Sequence, residues 1–191
     1  MMNTKKRGPT MTFDYFAYGS NMLTKRLTQR GLSPTEPRRA YANDRIIEFS
    51  KPSIDKSGKA TLRMQPGKRT QGVLFRIPKT EICKLDRIEG AGKGYTRCDQ
   101  FPVHLTENGE IVYAKTYLAS CTKFDLKPYD WYLALVIAGA CEHYLDNNHL
   151  ELLRCWSCIP DPNSLRRERR KAVDVFKKIG ILDYQCLLGP A

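Results

Sequence analysis

Apolar residues occupy both faces of an extended segment over Phe13–Tyr18, with Phe13, Tyr15 and Ala17 on one face and Phe16 and Tyr18 on the other. Aromatic residues on both faces predict a strand buried on both sides. Gly19 then frees the backbone to turn, and Met22, Leu23 and Leu27 predict a helix that Ser20 or Asn21 caps and Gly31 ends. A strand, a glycine turn and a helix N-terminus in succession leave N–H groups pointing outward at the positive end of a helix dipole. The segment therefore predicts a site for a carboxylate or an oxyanion.

Further on, Ser33–Arg39 with its two prolines reads as a loop into a strand over Tyr41–Phe49, and Lys51–Lys59 as a polar turn region. Alternation appears in Ala60, Leu62 and Met64 and again in Val73, Phe75 and Ile77. These predict two antiparallel neighbours joined at Pro66-Gly67. Helical spacing of Ile82, Leu85 and Ile88 predicts a helix capped by Thr80, with Glu89 and Gly90 at its end. Three glycines in the run Glu89–Tyr95 require a sharply bent backbone. Strands over Tyr95–Leu105 and Ile111–Leu118 follow, joined at Glu107-Asn108-Gly109. Tyr129–Leu145 is long and apolar, as expected of a core helix. A short helix is predicted over His149–Cys155, and a last one from Ser164 to Gly180 with Ala172, Phe176 and Ile179 on its apolar side.

At 191 residues the chain suits one domain spanning 1–191, with residues 1–10 and 181–191 as tails and a basic C-terminal helix at about 164–180. The 41% hydrophobic content with 13 glycines and 11 prolines is that of a mixed, turn-rich fold. Seven irregularly spaced cysteines, without an apolar leader before them, predict free thiols in a reducing cytoplasm. No stretch approaches the ~18 apolar residues of a membrane helix, so no membrane span is expected. A net charge of +12 favours anionic partners, yet it equally serves to steer a small anionic substrate.

Among candidate chemical groups, Glu89 ends an apolar-faced helix and enters a glycine-rich turn, from which a carboxylate projects into open space. Kept partly dry there, it suits a general base; its bland alternative is a solvated helix end. Ser20 lacks the Gly-x-Ser-x-Gly pattern of a nucleophile elbow, and reads as a cap or a substrate contact. Cys155 and Cys158 have half of a metal or redox spacing without the other half, and read as packed small hydrophobes. His143 and His149 share no metal-binding face, so no metal site is expected. Five cations over Arg166–Lys171 sit at a helix start, where the dipole disfavours them, and hint at an anionic partner.

Taken together, Tyr15-Phe16-Ala17-Tyr18-Gly19-Ser20-Asn21 and Leu85-Asp86-Arg87-Ile88-Glu89-Gly90, followed by Gly94-Tyr95, resemble two motifs of the γ-glutamylcyclotransferase family. Gly72-Val73-Leu74-Phe75 and the helix with Tyr132 and Gly139-Ala140 match in the same order. The resemblance covers roughly residues 13 to 160. It implies an α+β fold, a small mixed β-barrel flanked by helices, and an enzyme without cofactor or metal. In the implied reaction the substrate's α-amine attacks its own γ-carbonyl, releasing 5-oxoproline and an amino acid or amine, with Glu89 as general acid and base. The resemblance further implies that Tyr15, Phe16, Ala17, Tyr18, Gly19, Ser20 and Asn21 bind a small γ-glutamyl substrate, with Tyr95, Tyr117 and Tyr132 lining the pocket. Two alternatives stay open. One is a non-catalytic protein of the same fold that uses its basic surface on nucleic acid or another acidic surface. The other is an enzyme that removes a γ-glutamyl group in a biosynthetic pathway. Neither the leaving group nor the oligomeric state is specified by these motifs.

Overall fold

A computed structural model describes residues 10–189. In chain order its strands are β1 (Thr12–Ala17), β2 (Thr35–Pro52), β3 (Gly58–Pro78), β4 (Tyr95–Leu105) and β5 (Ile111–Ala119). Its helices are α1 (Thr24–Gln29), α2 (Ile82–Glu89), α3 (Asp130–Glu142), α4 (Asn147–Arg154) and α5 (Arg167–Lys178). Short 3₁₀ turns cover Ser20–Met22, Lys79–Glu81 and Tyr184–Leu187.

The strands close into a barrel in the order β1-β3-β2-β4-β5. Every pairing is antiparallel except β1 with β5, which meet in parallel at Tyr15 and Lys115 and complete the mixed barrel. Closure buries β1 on both faces at its C-terminal end, where Tyr15, Phe16 and Ala17 are at most 3% exposed. That places the residues entering the Gly19 turn inside the protein, not at a sheet edge.

Several expectations need correction. The segments around Ala60–Met64 and Gln71–Ile77 are not two neighbouring strands but halves of β3, which pairs with β2 along nearly its whole length. Pro66-Gly67 is absorbed where the pairing register shifts between Asn43 and Arg45, because a long hairpin partner outweighs the local turn preference. The same pairing pulls Thr35–Arg39, expected as loop, into β2. Thr80 does not cap α2: it lies within the 3₁₀ turn Lys79–Glu81, and the cap position falls on Glu81. Ser20 and Asn21 do not cap a helix either, since they form the 3₁₀ turn themselves and α1 begins after Leu23. The first amide of α1, at Thr24, is taken by the Glu142 carboxylate at 2.7 Å, so this helix end offers it to no ligand.

Helix α3 runs through the core, and every residue from Asp130 to Ala140 is buried, as expected for a helix apolar on all sides. Gly139 makes its contact with the 3₁₀ turn possible. A Cβ there would stand 2.6 Å from the Leu23 nitrogen and 2.7 Å from the Met22 Cβ. Helix α5 begins at Arg167, after Ser164, and packs on α1 and α3. Residues 181–189, read from sequence as part of a tail, include the last 3₁₀ turn, and Tyr184, Leu187 and Leu188 pack against the core. Of the expected tail at 1–10, residues 1–9 lie outside the described residues.

Candidate active site

A cavity of about 240 Å³ opens between the barrel mouth and the helices, and Glu89 lies in its wall. Local chain chemistry places the carboxylate there. Glu89 is the last residue of α2, and Gly90 follows it in the left-handed conformation (φ 70°) that L side chains avoid. The amide of Gly90 bonds the Arg87 carbonyl and that of Ala91 the Asp86 carbonyl, a Schellman ending that fixes the direction in which the chain leaves. Leu85 is fully buried and anchors the helix one turn earlier.

Two residues of the first motif reach this carboxylate from 74 and 68 positions away. The Tyr15 hydroxyl donates to Glu89 Oε1 at 2.6 Å, and Asn21 Nδ2 donates to the same oxygen at 2.7 Å. Both bonds fall on Oε1, and Oε2 accepts no hydrogen bond among the described residues. Asn21 is itself oriented: its Oδ1 accepts from Arg30 at 2.8 Å, so the amide nitrogen must face Glu89. Burial, and then the adjacent carboxylate, push the Tyr15 phenol well above its ordinary range, so it stays protonated and donates.

The other cavity tyrosines build walls whose hydroxyls are already engaged. Tyr18 donates to the Tyr117 carbonyl and Tyr95 to the Ala60 carbonyl at 2.7 Å. Tyr117 donates to Asp86 at 2.8 Å, and Asp86 is in turn paired with Arg97 at 2.6 Å. Tyr132, on α3, accepts from the Ala60 amide at 3.2 Å. Burial raises all four phenols above their usual range, so at neutral pH none is a base.

Tyr15, Tyr18, Gly19, Ser20 and Asn21 line the cavity, as do Glu89, Tyr95, Tyr117 and Tyr132. Phe16 and Ala17 do not. Phe16 is fully buried with its ring stacked on Phe101, and Ala17 is enclosed in the core, because β1 is covered on both faces at that end. No histidine serves Ser20 as a base. His143 lies against the Met22 carbonyl and the Thr24 hydroxyl, His104 against Asn43, and His149 is buried on α4. Cys158 is packed against the core, whereas Cys155 is exposed, contrary to the expected packing of both. No cluster of three or more His, Cys, Asp or Glu suited to a metal ion occurs among the described residues.

Periodicity missed a second group of cavity residues. Lys51, Ser53, Asp55 and Lys59, read as a polar turn, form part of the rim. Lys59 is paired with Asp55 at 3.0 Å and lies over the Tyr132 ring at 4.6 Å and the Trp131 ring at 5.0 Å. Arg26 enters from α1, Arg30 from the position that caps its C-terminus, and Glu168 from α5. Only the four-residue spacing of the two arginines, one helical turn apart just after the first motif, signalled this in sequence. Two of the five cations in the basic run Arg166–Lys171 form ion pairs within the protein. Arg166 pairs with Asp161 at 2.7 Å and stacks over Tyr129 at 5.2 Å, and Lys171 pairs with Glu168 at 2.8 Å.

Fold and site together define a barrel protein with the Glu89 carboxylate held by Tyr15 and Asn21 in a tyrosine-walled, small-molecule-sized cavity. The profile of the AIG2-like family matches residues 69–153. A mouse γ-glutamylcyclotransferase is 32% identical over 149 residues, covering 75% of this chain and 78% of that protein. The human γ-glutamylcyclotransferase is 30% identical over 174 residues, covering 87% and 89%. A solved γ-glutamyl cyclotransferase structure superposes with a TM-score of 0.74 at 27% identity, covering 88% of this chain and 99% of that one. The chain belongs to the γ-glutamylcyclotransferase family and is an enzyme of the cyclotransferase class. No helix among the described residues is long and apolar enough to cross a membrane.

Proposed function

We propose that the protein converts a γ-glutamyl amino acid or amine to 5-oxoproline, with Glu89 as the proton carrier. The observation that carries this reading is the convergence of Tyr15 and Asn21 on one oxygen of Glu89 inside the cavity. A residue whose only task was to end a helix in solvent would not be gripped by a buried phenol and a buried amide.

The chemistry asks little else of the protein. Glu89 Oε2 takes a proton from the substrate's α-ammonium, and the freed amine attacks the γ-carbonyl carbon, forming the ring C–N bond and a tetrahedral oxyanion. Glu89 then passes that proton to the leaving nitrogen as the original amide C–N bond breaks, and the second proton on the ring nitrogen follows by way of the same carboxylate to the departing amine, which leaves as an ammonium, so the carboxylate ends as it began. Nucleophile and electrophile belong to one molecule, so holding the ring-forming geometry contributes most, up to ~7–11 kcal/mol in favourable cases. Gly19 and Ser20 line the cavity, and in this reading their backbone amides serve as donors to the oxyanion, where one good donor is worth ~2.7–4 kcal/mol.

Seven unpaired cysteines fit a reducing cytoplasm, and γ-glutamyl peptides of glutathione metabolism are one source of such substrates there. Glu89→Gln is the direct test. It keeps the shape of the side chain and removes the proton acceptor. 5-Oxoproline release from γ-glutamyl compounds is expected to fall by ~10²–10⁴-fold with the thermal transition retained. Full activity in this variant would remove Glu89 from the reaction.

A further inference from the structure

Arg30 lines the cavity, yet its guanidinium forms no ion pair among the described residues. Glu168, a carboxylate of the same wall, pairs with Lys171 instead. The Arg30 guanidinium is directed at a neutral group: Nη1 donates to Asn21 Oδ1 at 2.8 Å, and Nδ2 of the same amide donates to Glu89 Oε1 at 2.7 Å. A guanidinium ordinarily meets a carboxylate. Against an amide it does something else. A side-chain amide has one accepting and one donating end, so a cation held on the accepting end keeps the donating end on Glu89. With the amide reversed, its oxygen would face the carboxylate oxygen in place of the 2.7 Å bond.

Arg30 is itself fixed by the chain around it. It is the C-cap of α1, and Gly31 follows in the left-handed conformation (φ 80°). The Gly31 amide bonds the Thr28 carbonyl at 2.9 Å and the Leu32 amide the Leu27 carbonyl at 3.2 Å, a Schellman ending. Leu32 is buried and anchors the turn. The same turn is fastened to the helix that carries Glu89. Lys84 Nζ, on α2, donates to the Gly31 carbonyl at 2.7 Å, and the Ser33 amide and hydroxyl donate to the carboxylate of Glu81, the cap of α2, at 2.8 and 2.9 Å. Segment Arg30–Ser33 therefore holds α2 near its start directly and at its last residue through Asn21.

We propose that Arg30 is a positioning residue of the reaction, acting through Asn21 to keep the Glu89 carboxylate where it meets the substrate's amine. The proposal rests on the cyclotransferase reading and adds to it a residue that lies outside both sequence motifs.

The test is a double-mutant cycle on 5-oxoproline release from γ-glutamyl-alanine, with Arg30→Met and Asn21→Ala made singly and together in the full chain. Asn21→Ala removes a bond to a charged acceptor and should lower kcat by about 10–100-fold. Arg30→Met should lower kcat by roughly 10-fold with KM changed by less than about 2-fold, since a misplaced proton carrier affects the step after binding. In the Asn21→Ala background, Arg30→Met should add less than about a 2-fold loss, because the link it acts through is already cut. Arg30→Lys, which keeps one cationic donor, should retain more kcat than Arg30→Met. Unchanged kcat in Arg30→Met overturns the proposal. So does an equal loss in both backgrounds, the result of a role confined to stability, and so does a loss carried by KM alone, the result of a guanidinium that binds substrate directly. Should Arg30→Met fail to fold, Arg30→Lys takes its place in the cycle under the same criteria. Absence of 5-oxoproline release by the wild-type protein from γ-glutamyl-alanine and γ-glutamyl-ethylamide alike overturns the cyclotransferase reading itself, and the proposal with it.

Discussion

Gly139→Ala tests whether the reaction centre depends on how closely α3 approaches the first-motif turn. The added methyl would begin 2.6 Å from the Leu23 nitrogen and 2.7 Å from the Met22 Cβ, whereas ordinary carbon contacts lie at about 3.5–4.0 Å. Relief therefore needs a displacement of roughly 1 Å. Leu23 offers a backbone atom that no rotamer change can move, so the turn or the helix must shift as a body. Overpacking of this kind costs ~1–3 kcal/mol or more, against a gain of ~1 kcal/mol from replacing a helical glycine by alanine. With two backbone-linked contacts the steric cost should win by about 1–2 kcal/mol. That corresponds to a Tm lower by roughly 2–8 °C in a chain of this size. The activity effect should be larger than the stability effect. Ser20 and Asn21 belong to the displaced turn, and a 1 Å misplacement of a reacting constellation can cost ~10²-fold. Calorimetry and 5-oxoproline release on the same sample make the comparison. A variant with unchanged or raised Tm and full kcat/KM would refute the proposed dependence.

Two other perturbations address separate parts of the molecule. Tyr15→Phe keeps the buried ring but removes one donor to the Glu89 carboxylate, a bond to a charged acceptor worth ~1.5–3 kcal/mol; kcat/KM for 5-oxoproline release should fall by about 10–100-fold with the fold retained, and unchanged kcat/KM would detach Tyr15 from catalysis. His149 is held neutral, its imidazole pushed down to about 4 by burial, while in the unfolded chain it titrates near 6.5. The unfolded state then binds the extra proton as pH falls from about 6.5 to 4. His149 should therefore lower stability by up to ~3 kcal/mol across that window and have no such effect above it. Denaturation of wild type and His149→Leu at pH 7 and pH 4.5 would measure this, and equal pH slopes would exclude His149 as the cause.

The helix ending at Glu89 was legible from Ile82, Leu85 and Ile88 followed by Gly90, because periodicity and a left-handed C-terminal glycine are local signals. The buried core helix and the turn at Gly19 were legible for the same reason. Local turn chemistry misled at Pro66-Gly67, since the pairing of β2 with β3 is a non-local interaction that absorbs a turn as a bulge. Lys59 and Asp55 looked like loop polarity. They became cavity residues only because the hairpin folds them beneath the rings of α3.

By itself the sequence determined which segments were candidates for the chemistry: a glycine-ended helix presenting Glu89, and an aromatic strand running into Gly19, Ser20 and Asn21. Both are properties of a few adjacent residues. Barrel closure alone decided that Tyr15 and Asn21 meet the same oxygen of Glu89, and that Phe16 and Ala17 turn away into the core. Packing of α1 near α3 and α5 likewise decided that Arg26 is buried with a nitrogen unpaired. Burial and hydrogen-bond partnership arise between segments tens of residues apart, and no window along the chain contains both members of such a pair.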